Sequence, residues 1–146
     1  MLHLASEKKS AYMKGEELVM CHLIKEGYTV YAPSSSFHNF DLVVAGKGWI
    51  YLADVKTGQS RKFYPDFSVK YSSYQNYTML SEKHNIPFFI YFVDVERNVI
   101  FGNWLTELSK KTDISWVGHK LHYPIVSNNR IYFPLTNVCL IKELWH

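Results

Sequence analysis

Apolar and polar positions along this chain switch between helical and strand periods. From about Ser10 to Glu26, Val19, Met20, Leu23 and Ile24 recur at helical spacing, and Gly27 supplies a left-handed stop. Tyr28 to Ala32 is a short β run, ended by Pro33 and the serines 34 to 36. Phe40 to Ala45 and Trp49 to Val55 read as two strands joined by Gly46-Lys47-Gly48, a hairpin signal. A polar stretch, Thr57 to Asp66 with Pro65 inside it, precedes a second helix over Tyr71 to His84, with Tyr74, Tyr77 and Leu80 on one stripe. Pro87 to Val93 is strongly β, and Val99 to Trp104 is placed to pair with it across Glu96-Arg97-Asn98. The pattern then weakens. Leu105 to Lys110 reads as a helical turn, Arg130 to Phe133 as a strand, and Asn137 to Trp145 as a closing helix capped by Thr136 or Asn137. This order predicts an α/β or α+β fold, with a central mixed sheet flanked by helices and no internal domain boundary.

The hairpin carries the first chemical signal. With a connecting loop of two or four residues, Asp41, Val43, Ile50, Leu52, Asp54 and Lys56 share one face of it. Phe40, Leu42, Val44, Trp49, Tyr51, Ala53 and Val55 share the other. Both faces are apolar apart from the two aspartates and the lysine, as suits a strand in the middle of a sheet. Two carboxylates brought together there are costly unless something positive compensates them. A divalent cation does so better than one lysine, and hard carboxylate oxygens suit Mg²⁺, or Mn²⁺ as a substitute. The backbone carbonyl of Val55 is a natural further ligand. Lys56, two residues beyond Asp54 on the same face, is positioned to orient or deprotonate an attacking water, or to stabilise charge growing on phosphorus.

The first helix offers a third carboxylate. Glu16 lies in register with Tyr12, Val19, Met20 and Leu23, but Glu17 is an alternative, because Met13, Cys21 and Ile24 form a second apolar stripe. Helical phase does not choose between them.

Composition narrows the picture. The chain has 146 residues, 47% of them hydrophobic and 16% aromatic, which excludes a disordered tail or linker-rich adaptor. The net charge of +3 is compatible with a polyanionic partner without requiring one. Two cysteines, Cys21 and Cys139, both in apolar helical patterns, make no disulfide framework and point to a reducing compartment. No apolar run approaches the roughly 20 residues a membrane span needs. Lys8 and Lys9 are followed by no apolar signal region, so a cytoplasmic location is expected.

Taken together, Gly15-Glu16, Leu23, Gly27-Tyr28, Phe40-Asp41 and Asp54-Val55-Lys56 resemble the PD-(D/E)xK nuclease superfamily. The similarity is strongest to its small Holliday-junction-resolvase-like and restriction-endonuclease-like members. The resemblance covers about the first 60 residues, and the later elements follow the superfamily's αβββαβ order. Its helical Glu precedes the glycine stop by about three turns, which favours Glu16 over Glu17. Two positions depart from the pattern: Phe40 replaces the proline before the first aspartate, and Asp54 stands where many relatives carry Glu. The resemblance implies a restriction-endonuclease-like core over about 10–104 of a single nuclease domain (1–146), with a C-terminal elaboration over about 105–146.

The expected function is then a Mg²⁺-dependent endonuclease hydrolysing DNA phosphodiester bonds. Glu16, Asp41, Asp54 and Lys56 form its catalytic set, and Glu16, Asp41, Asp54 and Val55 are its metal ligands. A homodimer is expected, because one small site per chain cuts two strands most simply under two-fold symmetry. A junction resolvase, a restriction or mobile-element endonuclease and a defence nuclease are the open choices. Neither a small-molecule cofactor nor a membrane partner is expected. Gln59, Arg61 and Lys62 after the reactive strand, and Tyr74 on the second helix, are candidate DNA contacts, weighed against a solvated loop and half-buried packing tyrosines. His119 and His122, with no Cys or acidic partner nearby in sequence, read as a loop pair and not as zinc ligands. The competing reading is a nucleic-acid-binding or assembly protein that keeps the nuclease fold without turnover.

Overall fold

The computed structural model describes residues 7–34 and 39–143, with side chains described from Lys14 onward. The expectations for Tyr12, Met13, serines 35 and 36 and Trp145 lie outside what is described. Helix α1 (Glu7–Lys25) ends on Gly27 at φ +95, where Gly27 N–H bonds Ile24 and Tyr28 N–H bonds Leu23. This crossed pair satisfies the orphan carbonyls of the last turn, as the glycine stop requires. Strands β1 (Thr29–Tyr31), β2 (Leu42–Gly46) and β3 (Trp49–Thr57) follow, then β4 (Asp66–Lys70) and helix α2 (Tyr71–His84). Strands β5 (Phe88–Asp94) and β6 (Val99–Trp104), the single turn α3 (Leu105–Leu108), and β7 (Thr112–Trp116) to β8 (His119–Tyr123) come next. The chain closes through β9 (Ile125–Ser127), β10 (Arg130–Pro134), a 3₁₀ turn over Leu135–Asn137, and β11 (Cys139–Glu143).

A six-stranded mixed sheet orders β1-β2-β3-β5-β6-β11, with β3 and β5 parallel and every other neighbour antiparallel. The parallel pair needs a crossover, and β4 and α2 provide it. Strand β3 is central, so both of its faces are covered. On one face Tyr51, Ala53 and Val55 pack with Val19 and Leu23 of α1. On the other, Leu52 joins Tyr77 of α2 and Phe67, Val69, Ile131 and Phe133 of a second, three-stranded sheet ordered β4-β10-β9. Among the described residues no helix is long and apolar enough to cross a membrane.

The C-terminal third departs from expectation. Residues 139–143 form a strand instead of a closing helix: Pro134 and the 3₁₀ turn leave Val138 extended, and β11 covers the open edge of β6. Asn137 does not cap a helix, but its side-chain amide ties the carbonyls of Leu108 and Lys110. Cys139 therefore lies on a strand, and both cysteines are free and exposed. Strands β4, β7, β8 and β9 were not legible as such.

Candidate active site

The β2–β3 connection is a two-residue turn, Lys47 at φ +54 and Gly48 at φ +84, the left-handed pair that suits the twist of a hairpin. Its even length fixes the parity of everything beyond. Leu42 pairs with Ala53 and Val43 with Leu52. One residue before the ladder, Asp41 N–H also reaches Ala53 O at 3.0 Å, so Asp41 and Leu42 both face Ala53 in a bulge, and the Asp41 carboxyl comes beside Asp54 and the Val55 N–H.

The two carboxyls are held by strong donors and by each other. Asp41 Oδ2 accepts the Val55 N–H at 2.8 Å, and Asp41 is also hydrogen-bonded to Asp54. Asp54 is buried, and its Oδ2 receives Lys56 Nζ at 2.8 Å and the Tyr77 hydroxyl from α2. Burial, the hydrogen bond to Asp54 and the charge of Asp54 together push Asp41 up to about 8, despite the Val55 N–H and with a further push from Glu16. Without a cation, the protonated form of Asp41 is therefore favoured at neutral pH. Burial works against the Lys56 ammonium, but Asp54 and Tyr77 outweigh it and raise Lys56 above the ordinary lysine range. Tyr77 is raised by burial and by the Asp54 charge, against the pull of Lys56, and stays a neutral donor.

Glu16 reaches the same group from α1. It is half-buried and raised, first by that burial and then by the charge of Asp54, with Lys56 opposing. Its neighbour Gly15 explains the approach. A Cβ on Gly15 would sit 2.5 Å from Thr57 Oγ1, so only glycine lets α1 come this close to the end of β3. Thr57 Oγ1 is itself buried without a hydrogen-bond partner, a cost set against that closeness.

The other candidates separate. Arg61 is committed to structure: Nε and Nη2 grip the fully buried Asp66 at 2.6 and 2.5 Å, and the guanidinium lies between the Tyr64 and Tyr132 rings. Tyr123 completes that clamp at 2.7 Å. Gln59 is exposed and its amide donates to Glu96 at 3.1 Å and Asp94 at 3.3 Å, while Lys62 is exposed beside Phe63. Tyr74 is half-buried, bonded to Ser109 at 2.9 Å, and lines a cleft of about 650 Å³ together with Trp49, Pro87 and Trp104. None of Glu16, Asp41, Asp54 and Lys56 lines that cleft. His122 lies on strand β8, not in a loop, and has an acidic partner after all, Asp113 Oδ1 at 2.7 Å from Nδ1. The contact of Tyr77 with Asp54 was beyond sequence reasoning, since a tyrosine on a buried stripe signals packing; only its position on the α2 face toward the hairpin hints at more.

A family model described as PD-(D/E)XK endonuclease matches residues 6–101. The chain belongs to this family. No curated protein matches it. Among solved structures it is similar to Hjc, a Holliday junction resolvase from Archaeoglobus fulgidus, with a TM-score of 0.59 at 9% identity over 86% of this chain and 84% of that one. It is similar to the bacterial homing endonuclease I-Ssp6803I, with a TM-score of 0.51 at 15% identity over 84% of this chain and 78% of that one. A fusselovirus nuclease, D212, aligns with a TM-score of 0.50 at 12% identity over 99% of this chain and 93% of that one. At these identities the likeness carries the fold, a restriction-endonuclease-like mixed sheet with few helices.

PD-(D/E)XK nucleases generally use divalent metals. The donor set here fits one: two carboxyls in contact, with Asp41 raised by burial and by Asp54, and a third carboxylate raised close by, are what a hard divalent cation relieves. Among the described residues no three His, Cys, Asp or Glu side chains form a ready-made cage. Lys56 and Tyr77 occupy Asp54 Oδ2, and the Val55 N–H occupies Asp41 Oδ2, so it is the remaining oxygens that would serve.

Proposed function

We propose that the chain is a Mg²⁺-dependent endonuclease that hydrolyses DNA phosphodiester bonds, with Asp41, Asp54, Lys56 and Glu16 as its reactive centre. The observation that carries this is the meeting of the Asp41 and Asp54 carboxyls on the β2–β3 hairpin, with Lys56 on Asp54 and Glu16 electrostatically coupled to both, in a PD-(D/E)XK family member. Asp41, Asp54 and the Val55 carbonyl would hold the ion, and Glu16 would complete its shell or position a second one. The bound ion supplies Lewis-acid polarisation of the phosphate and a more acidic water.

The chain's own groups do the rest. Lys56 Nζ, fixed by Asp54 Oδ2, orients the water and meets charge growing on the phosphate oxygens. Tyr77 donates to the same oxygen and holds the carboxylate in one rotamer. Gln59 and Lys62, on the loop that leaves β3, are the contacts we assign to flanking phosphates; Arg61 and Tyr74 support them structurally. The match over residues 6–101 supports a core that ends near residue 104, with 105–146 as elaboration. A homodimer in a reducing, cytoplasmic setting suits two-strand cleavage and two exposed free thiols.

The test is a panel of supercoiled, linear, single-stranded and four-way-junction DNA, with RNA as a control, incubated with Mg²⁺, Mn²⁺ or EDTA. The expected outcome is cleavage of at least one DNA, supported by either metal and abolished by EDTA. Cleavage of RNA alone, or cleavage in EDTA, refutes the assignment. The occupation of Asp54 Oδ2 by both Lys56 and Tyr77 favours a second reading, a DNA-binding protein without turnover. Calorimetric titration with Mn²⁺ separates the two, because absence of binding supports the silent reading.

A further inference from the structure

The loop leaving the reactive strand and the hairpin β7–β8 meet through one bond: Trp116 Nε1 donates to Phe63 O at 3.0 Å. Around that bond the molecule exposes what a soluble surface ordinarily hides. Phe63 is 73% exposed and Val117, at the hairpin tip, 80%, while Tyr64 and Trp116 are partly exposed at 44% and 37%. Val117 has φ +51, a left-handed conformation that a β-branched residue rarely takes and that Asn or Gly would adopt without strain. The two-residue turn of the β7–β8 hairpin imposes this conformation, and the valine that bears it is left facing solvent. Such outliers cluster at functional contacts.

The surroundings say what the contact is with. Lys62 Nζ lies 5.5 Å from the Phe63 ring, and Lys120 follows the tip on β8. Phe63 is seven residues beyond Lys56 in sequence, at most about 24 Å of extended chain. Flat apolar side chains flanked by cations are the chemistry that receives bases lifted out of a stack, with the phosphates held alongside. In intact duplex the base faces are already stacked on one another, so such side chains reach them only at the cost of unstacking a step, a cost that unpaired bases do not carry.

We propose that Phe63, Tyr64, Trp116 and Val117 form a wedge that engages unstacked bases, so that this protein selects DNA with unpaired or branched segments over continuous duplex. This rests on the nuclease reading above and adds a substrate class and a surface to it. The wedge is fastened by the Arg61–Asp66–Tyr123 clamp, which anchors the far end of the loop and the base of the hairpin together.

The test measures binding of labelled 30-mer duplex, the same duplex with a three-base bulge, single strand and a four-way junction, in Ca²⁺ to suppress cutting. The variant is Phe63→Ala with Val117→Gly, two exposed sites where glycine also relieves the backbone, so folding is retained. The parent should prefer bulged or branched DNA by about tenfold or more, and the variant should fall to near parity while its duplex affinity changes less than about twofold. A parent that binds duplex and bulged DNA equally, or a preference that survives the variant, overturns the wedge and leaves the nuclease reading intact. No binding to any DNA overturns both. A parent dimer that becomes monomeric in the variant with base preference unchanged overturns the wedge too, and assigns this face to a second copy of the chain.

Discussion

Asp54 is a buried carboxylate with a lysine and a tyrosine on one oxygen and a second aspartate in contact with it, and those partners are what stabilise its burial. The tyrosine is the informative partner. Tyr77→Phe removes the hydroxyl from Asp54 but keeps the ring stacked on Phe88 at 4.5 Å. Folding should survive, and the Mg²⁺ concentration for half-maximal cleavage should rise about tenfold, the usual scale for removing an outer partner of a metal ligand. An unchanged metal requirement would give Tyr77 a packing role only.

Asp41 makes a second prediction at the same scale. Its carboxyl is pushed up to about 8 in the folded protein, against about 3.9 in an unfolded chain. A raised carboxyl costs no stability below pH 4, and its penalty grows as the pH rises toward 8. In EDTA the melting temperature should therefore fall by roughly 4 °C or more between pH 5 and pH 9. Asp41→Asn should flatten that slope, and Mg²⁺ at pH 9 should restore the parent. A parent melting temperature that does not change with pH refutes the carboxyl crowding.

Among the elements, α1 and the β2–β3 hairpin do different jobs. The hairpin's two-residue turn sets which face the aspartates share, and Gly46-Lys47-Gly48 makes that turn readable from sequence. The Gly15–Thr57 approach, which brings Glu16 within electrostatic reach, is not readable, because a helical glycine shows its purpose only once its neighbour is known. Gly15→Ala should force α1 outward, cost about 1–3 kcal/mol and depress cleavage. Thr57→Ala, which removes the clashing oxygen, should restore both in the double variant, as a double-mutant cycle would show. Independent, additive effects would contradict a shared contact.

The same logic explains the elements that escaped the sequence. Strand β4 opens with Asp66, a residue no one would bury without seeing Arg61 and Tyr123 close on it. The β7–β8 hairpin turns on Val117-Gly118, where the ordinary Asn or Asp signal is missing. Strand β11 forms to cover β6, a long-range demand that local pattern does not carry. By contrast α2 spans Tyr71–His84 as its periodicity predicts, stopped by Asn85 at φ +52.

For the molecule as a whole, the six-stranded sheet sets β3 between two cores, and that double cover is why charges on its face need an answer. The meeting of these charges was legible because its cost is written in the sequence: charged residues interrupt two strands that are otherwise apolar. The exposed aromatic surface that we assign to DNA was not, because aromatic side chains read the same whether they pack or stay open to a partner. The central claim is that Asp54 and Lys56 work as one metal-dependent centre. The direct measurement is the Mg²⁺-dependent cleavage rate of the best DNA substrate by the parent, Asp54→Ala and Lys56→Ala, with circular dichroism confirming the fold. Both variants should lose about a hundredfold or more; rates equal to the parent's would contradict the account.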